Sequence, residues 1–412
     1  VDETGCYATT TQELIVNPLP EIITPTPLEE CDDDYDGIVS FFDLSQKTEE
    51  ILNGQTGISV SYYETLENAE SSENPIEGLY TNIEVDTQTL YVRLEVDETG
   101  CYATTTQELI VNPIPTVLVG PAYEVCDDDY DGIGSYNLST LDETLLDGQT
   151  GVSISYYESQ EDADNATNVL DVNYQNTITD TQTLYVRLEV DETGCYATTT
   201  QELIVNPIPT VLIGPAYEVC DDDYDGIGSY NLSTLDETLL DGQTGVSISY
   251  YESQEDADNA TNVLDVNYQN TITDTQTLYV RLEVDETGCY ATTTQELIVN
   301  PLPEIITPTP LEECDDDYDG IVSFFDLSQK TEEILNGQTG ISVSYYETLE
   351  NAESSENPIE GLYTNIEVDT QTLYVRLVDD LNNCISSTSL DLIVNPLPCL
   401  LYTSDAADET EG

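Results

Sequence analysis

The chain has 412 residues, with 84 Asp plus Glu against 6 Lys plus Arg and a formal net charge of -78. A field this negative repels nucleic acid and anionic membranes and attracts cations, calcium above all. His, Met and Trp are absent, which removes the usual general base, most zinc sites and thioether ligands.

Hydrophobic residues still make up 39% of the chain, and 29 Tyr stand among many Val, Ile, Leu and Thr. That is enough apolar material for packed cores, and the residue types favour strands. No run approaches the ~18 apolar residues of a membrane span, so no membrane insertion is expected. VDETGCYATTTQELIVNP starts at Val1 and recurs at Val96, Val190 and Val284. Cys6, Cys101, Cys195 and Cys289 step with it, as do Cys31, Cys126, Cys220 and Cys314. The period is the size of a whole domain rather than of a solenoid turn. Pro-containing joints at 17–20, 112–115, 206–209 and 300–303 interrupt the strand pattern and stiffen the links.

The expected order is therefore the last strand of a truncated module at 1–20, then modules at 21–115 (type A), 116–209 (type B), 210–303 (type B) and 304–398 (type A). Residues 1–94 are identical to 284–377. Recent duplication explains this, with misassembly of repetitive DNA as the alternative. The segment CLLYTSDAADE, Cys399 to Glu409, resembles an in-frame translation of a sequencing-library adapter, and 399–412 is expected to be a non-native tail.

One module, 116–209, shows the plan. Thr116–Val119 reads as a short strand, 127–132 as an acidic loop and Ser135–Leu138 as a second strand. Ser139–Asp147 reads as a helical turn capped by Ser139 and ended by Gly148. Gly151–Glu158 alternates Val152, Ile154 and Tyr156, a period-two strand. Ser159–Asn168 is polar and loop-like with one helical turn, and Tyr174–Ile178 is a weak strand. Gln182–Val190 alternates Leu184, Val186, Leu188 and Val190, turns at Asp191-Glu192-Thr193-Gly194, and returns through Cys195–Asn206 as a long hairpin. Six to eight short strands in so small a module predict an all-β fold, a tandem array of immunoglobulin-like β-sandwiches.

Each full module carries two cysteines. The expected pairs are Cys31–Cys101, Cys126–Cys195, Cys220–Cys289 and Cys314–Cys384, with Cys6 orphaned and Cys399 in the tail. Disulfides imply an oxidising compartment. Closing loops of about 70 residues would stabilise each module by roughly 4 kcal/mol in the chain-entropy picture. Two Cys without His cannot fill a zinc shell.

Each first cysteine is followed by D-x-D-x-D-G: Asp32, Asp34, Asp36; Asp127, Asp129, Asp131; Asp221, Asp223, Asp225; and Asp315, Asp317, Asp319. This resembles the first half of an EF-hand loop and the calcium loops of thrombospondin type 3 repeats. Carboxylates at alternate positions converge on one calcium, and the Gly permits the sharp turn. The match weakens at the twelfth loop position, where an EF-hand has Glu. Type A has Asp43 or Asp326 there, and type B has Leu138 or Leu232. The expected Cys31–Cys101 bridge would bring the Asp97–Gly100 turn alongside, so Asp97 or Glu98 is the candidate completing ligand. The counterparts are Asp191 and Glu192, Asp285 and Glu286, and Asp379 and Asp380. The alternative is an acidic Asx-type turn without an ion.

The Tyr pairs 62–63, 156–157, 250–251 and 345–346 are expected to place one ring in the core and one outward, where an outward ring could stack on a polysaccharide. Arg93, Arg187, Arg281 and Arg376 are expected on the outward strand face, each paired with a carboxylate. Four copies of one small module, with no insert to build a cleft, argue against an enzyme.

ECDDDYDG, an NGQTG-type turn, SYYET, QTLYVRL, TGCYATTT and ELIVNPLP occur in this order, and the order resembles the repeats of very large surface proteins of Bacteroidota. The resemblance covers 1–398. It implies gliding-motility-associated or type IX export and a cell-surface or extracellular location. The expected function is a structural or adhesive stalk stiffened by disulfides and calcium, its partners being neighbouring modules and an extracellular ligand. The alternatives are carbohydrate-binding modules and spacers that carry a distant secreted enzyme.

Overall fold

The computed structural model describes residue 3 and residues 5–396. The suspected adapter segment and Cys399 lie outside the described residues. Packing divides the chain into two compact units, Val1–Pro207 and Ile208–Gly412. Each unit contains two copies of one plan.

In the first copy, β1 (Leu28–Cys31), β2 (Ile58–Tyr63), β3 (Thr87–Val96) and β4 (Tyr102–Asn112) form a sheet of order β1-β4-β3-β2. The β3–β4 hairpin is antiparallel, with Thr87 opposite Ile110 and Glu95 opposite Tyr102. β1 is parallel to the second half of β4, with Leu28 opposite Leu109 and Cys31 opposite Asn112. Alternation decides which side is buried: Leu90, Val92 and Leu94 of β3 meet Leu109 and Val111 of β4 on one face. That face packs against Val39, Phe42, Leu44, Tyr80 and Ile51, the last on the short helix α1 (Thr48–Leu52). A second short helix, α2 (Leu66–Ser71), lies over the opposite face, N-capped by the Thr65 hydroxyl and ended by Ser72 in the left-handed region.

The second copy repeats this with β5 (Tyr123–Cys126), β6 (Ser135–Asn137), β7 (Val152–Tyr157), β8 (Asn173–Gln175), β9 (Thr181–Val190) and β10 (Tyr196–Asn206), and helices α3 (Asp142–Leu146) and α4 (Gln160–Asn165). The sheet order is β5-β10-β9-β7, and β6 pairs with β8 as a two-stranded second layer. The fold is thus four tandem all-β sandwich modules with few helical residues, as the strand pattern predicts. Among the described residues, each copy has its own hydrophobic core.

Three local expectations are corrected. Thr116–Val119 is not a strand. The Gln149 side chain holds both the Thr116 N–H (3.0 Å) and its carbonyl (2.9 Å), so the backbone is satisfied without a ladder, and the first strand is β5 instead. The tyrosine pairs do not split between core and solvent: Tyr62 is 7% and Tyr63 1% exposed, and the other three pairs match. Tyr62 faces the core and donates to the Leu44 carbonyl, while Tyr63 lies under the helix-covered face beside Ser61 and Ser72. No sugar can stack on either ring. Arg93, Arg187 and Arg281 pair with carboxylates as expected but are buried, because the short helix of each module covers them, whereas Arg376 has no carboxylate partner among the described residues and is only partly buried. Arg93 grips Glu95 at 2.6 Å, donates to the Ala69 and Glu70 carbonyls at the end of α2, and stacks 3.5 Å from the Tyr102 ring. Arg376 keeps the helix carbonyls of Ala352 and Glu353, but Val378 and Ile385 replace the glutamate and the tyrosine.

Candidate functional site

The acidic loop begins where the first strand ends, at the edge of the four-stranded sheet. In each loop one oxygen from each of the three Asp lies within 4.8 Å of the other two, so each cluster could hold a metal ion: Asp32, Asp34 and Asp36; Asp127, Asp129 and Asp131; Asp221, Asp223 and Asp225; Asp315, Asp317 and Asp319. The first Asp also builds the turn. Asp127 Oδ1 accepts from the N–H of Asp129 (3.1 Å) and Tyr130 (2.9 Å), and its Oδ2 accepts from the Gly132 N–H (3.0 Å). The glycine is required at this point. Gly37 has φ +74°, and a Cβ on it would stand 2.5 Å from Val85.

Electrostatics separate the three carboxylates. Burial pushes Asp127 up, but the amides of Gly132, Asp129, Tyr130 and Asp131 outweigh it and hold the carboxyl below its usual range. Asp221 and Asp315 behave alike. Asp129 is pushed the other way, by desolvation first and then by the charge and hydrogen bond of Asp131. Asp34 and Asp223 share that environment, and at Asp317 the hydrogen bond to Asp319 leads. Middle carboxylates crowded by like charge are what a bound cation relieves.

The expected completing ligands are not all brought here. Asp43 and Asp326 instead cap a 3-10 turn, accepting from the N–H and hydroxyl of Ser45 and Ser328 respectively. In the Asp97–Gly100 turn, Asp97 accepts from Ser59 at 2.7 Å. Asp191, Asp285 and Asp380 take the equivalent serines Ser153, Ser247 and Ser342 of their own modules. Asp379 accepts from the Leu381 N–H at 2.8 Å. Glu98, Glu192 and Glu286 are exposed on the same turns.

The reason is the cysteine pairing, which the structure corrects. Cys31 bonds Cys195, not Cys101, and Cys220 bonds Cys384, not Cys289, each with a sequence separation of 164. Cys126 and Cys289 are also disulfide-bonded, whereas Cys101 and Cys314 are free thiols. Strand register forbids the expected pairs. Cys31 lies opposite Asn112, the last residue of β4, while Cys101 precedes its first. At ~3.3 Å per residue the two stand about 35 Å apart, far beyond the ~7 Å Cα limit of a bridge. Cys126, opposite Asn206, is equally remote from Cys195.

A bridge therefore joins the acidic-loop end of one module to the hairpin-turn end of the next. Around it, a cleft of about 530 Å³ is lined by Asp32, Asp33 and Tyr35 on one side and by Val117, Gly194 and Tyr196 on the other. The Tyr of the DDDYDG motif belongs to this joint, a role its sequence context did not suggest. Tyr35 holds φ +69°, costly for a bulky residue, and its hydroxyl donates to the Pro115 carbonyl at 2.9 Å. Tyr224 does the same to Pro303 at 3.0 Å and lies 3.2 Å from the Ser386 hydroxyl. A second unforeseen residue is Asn176, with its counterparts Asn82, Asn270 and Asn365. It is buried, accepts from the Gly134 N–H (2.6 Å) and donates to the carbonyls of Gly132 (2.9 Å) and Ile178 (2.8 Å), pinning the loop's exit.

Tandem sandwich modules cross-linked to their neighbours define a structural repeat protein. The chain belongs to the Flavobacterium inter-domain disulphide bond domain family, whose model matches residues 27–115, 122–209, 216–303 and 310–398. Among solved structures the chain is similar to a three-immunoglobulin-domain fragment of titin, with 10% identity and a TM-score of 0.25, covering 67% of this chain and 95% of that one. It is also similar to Drosophila N-cadherin domains EC1-4, with 12% identity and a TM-score of 0.17 over 90% and 98%. The sialic acid binding region of a Streptococcus sanguinis adhesin matches with 15% identity and a TM-score of 0.19 over 92% and 99%. No curated protein sequence matches the chain.

Proposed function

We propose that this chain is the repeat region of an exported bacterial surface protein, a semi-rigid stalk that carries adhesive or other distal parts and performs no catalysis itself. The observation that carries the reading is the placement of the Cys31–Cys195 and Cys220–Cys384 bridges at the joints rather than inside the modules. A bridge within a module stabilises a fold, whereas a bridge at a joint restrains bending. Disulfides of this kind persist in oxidising surroundings, which supports a location outside the cytoplasm. The likeness to Bacteroidota surface repeats adds the type IX route as the means of export.

Calcium completes the reading. The Asp32 and Asp221 triads stand beside bridged joints, so an ion there would neutralise the crowded middle Asp and stiffen the link, with water or the neighbouring turn filling its remaining positions. The test is thermal unfolding of the oxidised chain in calcium and in chelator. A large, saturable rise in melting temperature with calcium is expected. The double substitution Asp129→Ala plus Asp131→Ala should lower melting of its module in calcium but not in chelator. Equal losses in both would leave the loops as solvated turns.

A further inference from the structure

The second layer of a type A module turns an apolar face to solvent. In module 21–115, Phe42 and Tyr80 pair across that layer as an antiparallel bridge and point into the core. Alternation then sends their neighbours Phe41 and Leu79 outward. Ile83 follows on the outward side, since Asn82 is buried, and Val85 stands against the Gly37 turn. All four are between 54% and 65% exposed. Large apolar side chains left open together mark a surface that something covers. In module 304–398, Phe324, Leu362, Ile366 and Val368 are equally open. A cleft of about 380 Å³ beside Leu362 is lined by Leu327, Tyr345, Ile359 and Asp326.

Type B has the same plan with a different face. Tyr136 and Tyr174 take the places of Phe42 and Tyr80. Ser135 therefore stands for Phe41, Asn173 for Leu79, and Thr177 and Thr179 for Ile83 and Val85. The fold does not need the apolar residues. Type B exposes Val172 and Ile178 instead, each one position out of this register.

The rim of the type A face is acidic. Asp43 lies alongside Leu79 in the bridge register, Glu77 precedes Leu79, and Glu84 separates Ile83 from Val85. The chain has no spare Lys or Arg to meet these groups. Lys47, Lys330, Arg93, Arg187 and Arg281 are held by Glu side chains, and Arg376 by the carbonyls of Ala352 and Glu353. Those are all 6 Lys and Arg of the sequence. A second copy would bring carboxylate against carboxylate, so the cations must come from a different molecule.

We infer that the outward face of each type A module docks a segment of another protein that is apolar at its centre and basic at its ends. The apolar centre covers Phe41 and Leu79, and Lys or Arg reaches Asp43, Glu77 and Glu84. Type B modules do not bind this partner. The A-B-B-A order thus gives two sites per chain, with two non-binding modules between them in sequence.

The experiment is isothermal titration calorimetry of the oxidised full chain with a short synthetic peptide whose run of Leu and Phe is flanked by Lys at both ends. A control peptide carries the same Lys around Ser and Asn. Both are titrated at ~0.5 M salt, where attraction between exposed charges is screened. Saturable binding of two Leu–Phe peptides per chain is expected, at least about tenfold tighter than the control. The type B residues supply the substitutions. Phe41→Ser, Leu79→Asn, Ile83→Thr and Val85→Thr should leave one site. Adding Phe324→Ser, Leu362→Asn, Ile366→Thr and Val368→Thr should leave none, with circular dichroism unchanged. The milder pair Phe41→Ser plus Phe324→Ser should weaken both sites about tenfold, the scale of one lost buried Phe contact. Equal binding of the two peptides, or binding that survives the full set of substitutions, would show attraction to net charge alone and overturns the inference. So does a chain that dimerises at this salt through the same residues, because the face would then take a second copy.

Discussion

Tyr136 and Tyr230 bury hydroxyls that have no hydrogen-bond partner. In type A modules the same place, opposite the buried second-layer Tyr, is held by Phe42 and Phe325. An unpartnered buried hydroxyl costs about 1–3 kcal/mol, so Tyr136→Phe is expected to stabilise its module by up to that amount, read as a higher urea midpoint with an unchanged slope. The converse holds at Asn176, which satisfies three backbone groups. Asn176→Ala should cost about 1–3 kcal/mol in the same measurement. Buried tyrosines also set the alkaline limit. Burial, with Tyr123 nearby, pushes Tyr136 up to about 12, and burial, with Tyr217 nearby, does the same at Tyr230. Burial and then the Asp142 hydrogen bond raise Tyr156 as well. The folded values lie above the unfolded one, near 10, so this stability is intact below pH ~10 and is lost as pH rises through about 12. Tyrosinate absorbance should appear together with loss of circular dichroism, not before it.

Element by element, the long hairpin is the most legible part of the sequence, because strict alternation over Gln182–Val190 matches β9 almost residue for residue. The short helices α3 and α4 fall within the segments read as helical turns, but Ser139 does not cap α3: Leu141 stands at its N-cap without a side-chain bond, and the Ser139 hydroxyl donates to Asn137 Oδ1 instead. What alternation cannot show is who pairs with whom. The parallel seating of β1 on the far half of β4 is a tertiary fact carried by a four-residue strand, and it decides which end of the sandwich Cys31 occupies. The acidic triads were legible as clusters for the opposite reason: their ligating atoms lie within six consecutive residues, so local turn geometry alone assembles them. The completing ligands were not, since choosing them required knowing the ends of the sheet.

For the molecule as a whole, the cysteine count agreed equally well with bridges inside modules and between them, so only register could decide. The two pairings differ in what reduction does. Because each module closes its own core, reduction is expected to leave the tyrosine circular dichroism and the melting temperature nearly unchanged while broadening the small-angle scattering distance distribution. Bridges inside the modules would instead have cost each one roughly 4 kcal/mol on reduction. A melting loss of that size without a change in the distance distribution would contradict the joint reading.

The bridge at Cys31–Cys195 runs beside the peptide linker that contains Pro113 and Pro115, so two covalent paths cross the same gap. An exposed linker is where a protease cuts first. Here a single cut leaves the two modules attached, as it does between Cys220 and Cys384. To part the strand at such a joint, a hydrolytic and a reductive event must coincide. In a medium rich in proteases and poor in thiols, that coincidence is rare.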